Sequence, residues 1–167
     1  MTHWRPGKVL GAMPAMTKMV IGIAVVGIGL TARPGLAQEA TVIELTQTPC
    51  QFLETENGVD HGFVSAKKSD CDSINAETGA ERLAKAKVLD LKPGTYIFRV
   101  TNKNVPYPLG FWLRGDGLIN RAILPSISGG GLTLGTTKDY VIELREGEYV
   151  YSCPLNPTPN YKLIVRR

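Results

Sequence analysis

Leu144-Arg-Glu-Gly-Glu-Tyr-Val-Tyr-Ser-Cys-Pro154 joins two β-type runs through a short turn. Asp139-Tyr-Val-Ile-Glu-Leu144 alternates apolar and polar residues, as a half-buried strand does. Arg145-Glu-Gly147 supplies the turn, and Glu148-Tyr-Val-Tyr-Ser-Cys153 continues as an aromatic-rich strand. Working outward, Tyr161-Lys-Leu-Ile-Val165 reads as the closing strand, and Ser128-Gly-Gly-Gly131 as a turn. Upstream, Leu109-Gly-Phe-Trp-Leu113 is an apolar run. Thr95-Tyr-Ile-Phe-Arg-Val-Thr101 alternates cleanly, with Tyr96, Phe98 and Val100 on one face. Lys92-Pro93-Gly94 ends a short strand over residues 87–91, because proline fixes φ and glycine permits the turn.

Earlier still, Thr41-Val-Ile-Glu-Leu-Thr46 reads as the first strand. Between it and the later strands lies a polar insert, about 50–87, whose first part to Asp72 shows little apolar periodicity. Thr78-Gly-Ala-Glu81 has the spacing of a capping box and predicts a short helix from there to about Lys87. Short strands separated by turns predict an all-β Greek-key sandwich or barrel, with one long insert and one short helix.

The first 37 residues read as a secretory leader to be removed. They contain Arg5, Lys8, Lys18 and Arg33, no acidic residue, an apolar run from Met19 to Leu30, and Gly35-Leu36-Ala37 before the expected cleavage point. The run falls short of the ~20 residues of a comfortable span, although retention as an anchor is the alternative. Residues 38–167 then form one domain, placed in the periplasm or outside the cell, with no transmembrane segment after cleavage. The chain carries 19 Lys and Arg against 15 Asp and Glu. Four of the basic residues lie in the leader, so the remainder is close to neutral. No basic patch points to nucleic acid.

Cys50, Cys71 and Cys153 all lie beyond the leader. Cys50 and Cys71 bracket a polar loop that burial alone would not order, and a disulfide there would stabilise by roughly 3 kcal/mol. Pairing of either with Cys153 is the competing connectivity. A metal cluster of these two with His61 is the other reading, but the spacing matches no zinc pattern. Asp60-His61 is a dyad in form only. There is no G-x-S-x-G nucleophile, and the glycine run does not open a helix as a phosphate cradle would. We expect no enzyme.

The segment 144–154, together with Leu91-Lys-Pro-Gly-Thr-Tyr-Ile-Phe-Arg-Val-Thr-Asn102 and Tyr161–Val165, resembles the cupredoxins, the blue copper protein fold. The resemblance covers roughly Val88 to Val165. It implies a copper-type site with Cys153 as the thiolate ligand, one histidine after Asn102 and another two to four residues after the cysteine. Such a site needs a thiolate and two imidazoles, often with an axial thioether. Here Val105-Pro-Tyr-Pro-Leu-Gly-Phe111 has no histidine, Asn156 stands where the second is expected, and Tyr161 or a proline replaces the methionine. His61 is the one histidine after the leader. An ordinary blue site is thereby excluded within one chain.

Cys153 is either a buried inert thiol or a soft ligand for Cu(I), with His61 as the more remote second candidate. The loop after it, with Pro154, Pro157 and Pro159, is stiff. By the resemblance, the 104–111 and 154–160 loops lie together at the end that meets partners. Tyr107, Phe111, Trp112 and Asn156 are the candidate contacts with a protein partner; core packing is the alternative for the aromatic three. The expected function is an exported, non-catalytic binding or accessory domain with no cofactor. Copper handling through Cys153 is the alternative, and electron transfer the third reading.

Overall fold

The computed structural model describes residues 39–167, and Gly11 alone before them. The leader and its cleavage point lie outside the described residues. In chain order the elements are β1 (Thr41–Thr48), β2 (Gln51–Phe52), α1 (Lys68–Lys85), β3 (Leu89–Leu91), β4 (Gly94–Asn102), β5 (Leu109–Gly115), α2 (Gly117–Ile123), β6 (Ile127–Leu132), β7 (Thr137–Leu144), β8 (Gly147–Ser152) and β9 (Tyr161–Val165).

They form two sheets, ordered β2-β1-β4-β7 and β3-β9-β8-β5-β6. β1 runs parallel to β4, with Thr41 beside Tyr96 and Gln47 beside Asn102. β4 pairs antiparallel with β7, and β8 lies antiparallel between β5 and β9. This is the Greek-key β-sandwich of the cupredoxin type. Alternation dictates which residues meet in the middle. Phe98 and Val100 of β4, Tyr140 and Leu144 of β7, Tyr149 and Tyr151 of β8, and Leu163 of β9 all point into one buried core. Phe111 sits at its centre, with ring centroids 5.5 Å from Phe98 and 5.1 Å from Tyr140. The side chains come from both sheets, so the core is also what fixes one sheet against the other.

Two local expectations are corrected. The helix starts at Lys68, ten residues before Thr78. Its first turn is held by Asp70, whose Oδ2 accepts the amides of Ala66 at 2.8 Å and Lys67 at 3.1 Å, and by Cys71, which is bonded to Cys50. Thr78 lies inside the helix, where its hydroxyl donates to the Ile74 carbonyl. Glu81 pairs with Lys85 rather than capping. The glycine run is the second correction: it lies within β6, not in a turn. Its small residues let two chains approach closely. A Cβ on Gly110 would meet the Gly129 carbonyl oxygen at 2.6 Å, and one on Gly129 would meet the Tyr140 ring at 2.9 Å.

Direction defines two ends. β4, β8 and β1 run toward the end that carries Cys153, and β5, β9 and β7 run away from it. The opposite end carries α2 and the β7–β8 turn.

Candidate functional site at the Cys153 end

Cys153 follows β8 directly, at the point where the chain leaves the sheet. Its thiol is buried. Two backbone amides point at the sulfur, Gly110 N at 3.4 Å and Asn156 N at 3.2 Å. Its own N–H donates to Thr158 Oγ1 at 3.1 Å, closing the loop on itself. Burial pushes the thiol pKa up, and the Gly110 and Asn156 amides draw it only partly back. At neutral pH the group is a protonated thiol.

Asn156 is wholly buried, and its side chain is saturated. Oδ1 accepts the Cys50 N–H at 2.9 Å, and Nδ2 donates to the Thr48 carbonyl at 2.9 Å. The Cys71 sulfur lies 3.2 Å from the same Oδ1. Gln47, also buried, donates from Nε2 to the Gly110 carbonyl at 2.8 Å. The amide at position 156 therefore ties the end of β1 and the disulfide to the Cys153 loop. Tyr107 stands at the margin, half-buried, with its hydroxyl 2.9 Å from Ser65 Oγ.

The insert folds against this loop. Asn75 Nδ2 donates to the Pro157 carbonyl at 2.5 Å, and a Cβ on Gly79 would touch the Pro159 ring at 3.9 Å. His61, however, does not turn toward the cysteine. Its Nε2 meets Glu56 Oε2 at 2.7 Å, and its ring stacks on Phe63. Asp60 is occupied separately, accepting the Gly62 amide at 3.0 Å, so no Asp60–His61 dyad forms.

His61 belongs to a second polar centre that the sequence does not announce. Glu56 and Arg82 are both buried and paired, with Arg82 Nη2 at 2.7 Å from Glu56 Oε1 and Nε at 3.0 Å from Oε2. Arg82 also donates to the Cys50 carbonyl and to Asn75 Oδ1. The Tyr161 hydroxyl donates to Glu56. Burial works to raise the Glu56 pKa, but Arg82, Tyr161 and His61 together outweigh it and hold the carboxyl below its ordinary value. Burial and the Glu56 charge push the Tyr161 hydroxyl pKa up. A cavity of about 340 Å³ opens beside this centre, with Val59, His61, Phe63 and Lys85 in its wall.

The donor set does not fit a type 1 copper ion. The groups that meet Cys153 are the Gly110 and Asn156 amides, the Gln47 carboxamide and the Thr158 hydroxyl, with no imidazole; such a site needs two. Among the described residues no three His, Cys, Asp or Glu side chains gather as a metal site would require. The expected disulfide is present between Cys50 and Cys71, leaving Cys153 free.

The proposed contact residues separate. Phe111 and Asn156 are inside, at 1 % and 0 % exposure, and hold the end together rather than face outward. Trp112 lies on the outer face of its sheet, beneath the Arg114 guanidinium at 3.9 Å. Tyr107 is partly accessible. The outward surface is instead made by Pro106, Pro108, Pro154 and Leu155. Gln47, Glu56 and Arg82 were not singled out from the sequence. Each acts through a partner far along the chain and leaves no local pattern.

No family model matches the chain, and no curated protein does. Among solved structures it is similar to auracyanin B, at 13 % identity over 77 % of this chain and 90 % of that one, with a TM-score of 0.46. It is similar to a dithionite-reduced auracyanin of Roseiflexus castenholzii, at 13 % identity over 77 % and 98 % with a TM-score of 0.45. Rusticyanin from Thiobacillus ferrooxidans overlaps at 13 % identity over 77 % and 79 %, with a TM-score of 0.42. The cupredoxin-type architecture rests on the strand order and registers of the two sheets, not on these overlaps.

Proposed function

We propose that the protein is an exported, non-catalytic binding or accessory module of cupredoxin architecture, which meets a protein partner through the proline-rich surface around the Cys153 loop. One observation carries this. At the position where the resemblance expects an imidazole, Asn156 spends its side chain on Cys50 and Thr48. The ligand position has become an internal tie, and the end of the sandwich is rigid without a metal. Around it, Pro106, Pro108, Pro154 and Leu155 give a fixed apolar surface. Stiff loops on a β scaffold lose little entropy on binding.

Copper titration of the purified exported protein, followed by visible absorption and paramagnetic resonance, tests the metal half. No stoichiometric thiolate-to-copper band is expected; an intense one overturns the reading. A photo-crosslinker placed at Pro108, which is exposed on the same surface, tests the partner half in cells. A discrete crosslinked protein, lost when Leu155→Glu is combined with Pro154→Ser, is expected. An unchanged crosslink pattern in that variant moves the contact elsewhere.

Copper handling is the second reading, and it is favoured by the two amides aimed at the Cys153 sulfur. Amides in this arrangement stabilise a charged or metal-bound sulfur. A partner would have to bring further ligands. The signature is Cu(I) retained on isolation and lost in Cys153→Ser. Electron transfer ranks third, because it requires a redox centre that this donor set does not supply.

A further inference from the structure

At the end opposite Cys153, α2 carries three large aliphatic side chains in the open. Leu118, Ile119 and Ile123 are 87 %, 77 % and 61 % exposed. Elsewhere Val42 and Val141 flank Ile97 in one row across the outer face of their sheet, and the remaining exposed aliphatic residues are scattered over strands, loops and α1, which is ordinary for a protein surface. Three on one seven-residue helix form a patch of the kind that marks a docking or membrane surface. Their neighbour Leu124 shows the contrast, since it turns inward and fills the space above Gly147.

Two cations flank the patch. The Arg121 guanidinium lies 5.7 Å from the Trp112 ring centroid, and Arg145 Nη2 donates to the Ile123 carbonyl at 3.4 Å. Neither has a carboxylate partner among the described residues. Of the nearby acids, Glu146 is neutralised by Arg167 at 2.7 Å. Asp116, just before the helix, and the exposed Glu148, whose carbonyl accepts the Asp116 amide at 2.9 Å, stand as the opposing charges. An apolar tip with free arginines at its rim is complementary to an anionic bilayer surface, where aliphatic groups enter the interface and guanidinium groups meet phosphate.

The course of the chain supplies an independent argument. β1 begins at this same end, with Thr41 beside Tyr96; Gly94 in turn faces Leu144, the residue before Arg145. Entry point and β7 terminus are thus two strand spacings across and two residues along, about 12 Å apart. In the sequence, ten residues separate Thr41 from Leu30, the last residue of the apolar run. Ten extended residues reach at most ~35 Å. On the leader reading, that run is the segment engaged with the membrane during export. The chain thus enters the domain at the end that carries α2.

We propose that α2 is a lipid-docking tip, with Leu118, Ile119 and Ile123 entering the interface and Arg121 and Arg145 binding anionic headgroups. The test is co-sedimentation of the chain beginning at Gln38 with phosphatidylcholine vesicles, with and without phosphatidylglycerol. That chain contains every strand and helix from β1 to β9 but not the apolar run, so an error in the leader reading does not alter the outcome. Binding is expected to phosphatidylglycerol vesicles and to weaken about tenfold in Leu118→Ser/Ile119→Ser. Arg121→Gln/Arg145→Gln is expected to abolish the preference for the anionic lipid. Both variants change exposed side chains, and an unaltered melting curve confirms the fold. Absence of binding to either vesicle, or equal binding by the aliphatic variant, overturns the proposal. So does a concentration-dependent dimer that this variant dissolves without vesicles having bound, which would give the face to a second copy.

Discussion

Asn156 Oδ1 accepts the amide hydrogen of Cys50 at 2.9 Å, across 106 positions of the chain. The bond joins the last loop of the domain to its only disulfide, and a second from Nδ2 to the Thr48 carbonyl makes the join two-pointed. All these atoms are buried, so removing the amide leaves a donor and an acceptor without water. Asn156→Ala is expected to lower unfolding stability by about 2–3 kcal/mol. Urea unfolding with an unchanged m-value would confirm that the loss is local.

Glu56 and Arg82 make the costliest pair to break singly. Arg82→Met or Glu56→Leu alone strands a buried charge and should cost about 3–5 kcal/mol. The double substitution Glu56→Leu/Arg82→Met removes both charges and should cost less than the sum of the two. A double-mutant cycle by chemical denaturation measures the coupling, and strict additivity would refute it.

Acid should weaken the protein through Glu56. Its folded pKa is held below the ordinary 4.5, so the contribution is fully present above about pH 4.5 and disappears as pH falls through the depressed folded value. Unfolding free energy should drop more steeply below that pH in the wild type than in Glu56→Leu/Arg82→Met. Parallel acid slopes would place the titration elsewhere.

Cys153 should be unreactive while the domain is folded. Burial raises its pKa and keeps reagents out, and the thiolate is the reactive form. Near pH 8, an aromatic disulfide reagent should modify the native thiol only at the rate of unfolding. In denaturant it should react at once. Rapid native labelling would mean the loop opens locally.

Removing the bridge should act on α1. Cys50→Ala/Cys71→Ala is expected to cost about 3 kcal/mol and to release the first turns of the helix. Circular dichroism at helix wavelengths, read before the main unfolding transition, checks this.

Sequence patterning reached the sheets because sandwich strands declare themselves locally. β9 matches the expected Tyr161–Val165 run, and β4 buries Tyr96, Phe98 and Val100 as their alternation requires. The glycines of β6 were misread because their spacing resembles a turn. What places them in a strand is the close approach of β5 and the Tyr140 ring, which is not local. The helix start was missed for the same kind of reason. Its anchors are Asp70 and a sulfur bonded 21 positions away. At the Cys153 end the missing histidines were legible, but the use made of Asn156 was not. A side chain's partners more than 100 residues distant have no spacing rule.

The parallel pairing of β1 with β4 has a kinetic consequence. Nothing can zip these strands from a hairpin, because the chain from Thr48 to Gly94 must first return on itself. Such crossovers raise contact order and slow folding. The Cys50–Cys71 link, with a separation of 21, excises nearly half of that excursion. Shortening a flexible connection by about half lowers the closure cost by ~0.5 kcal/mol, which is roughly a twofold faster search. The oxidised chain therefore starts its slowest step only slightly ahead of the reduced one; the bridge contributes far more to how long the native state lasts than to how soon it is found.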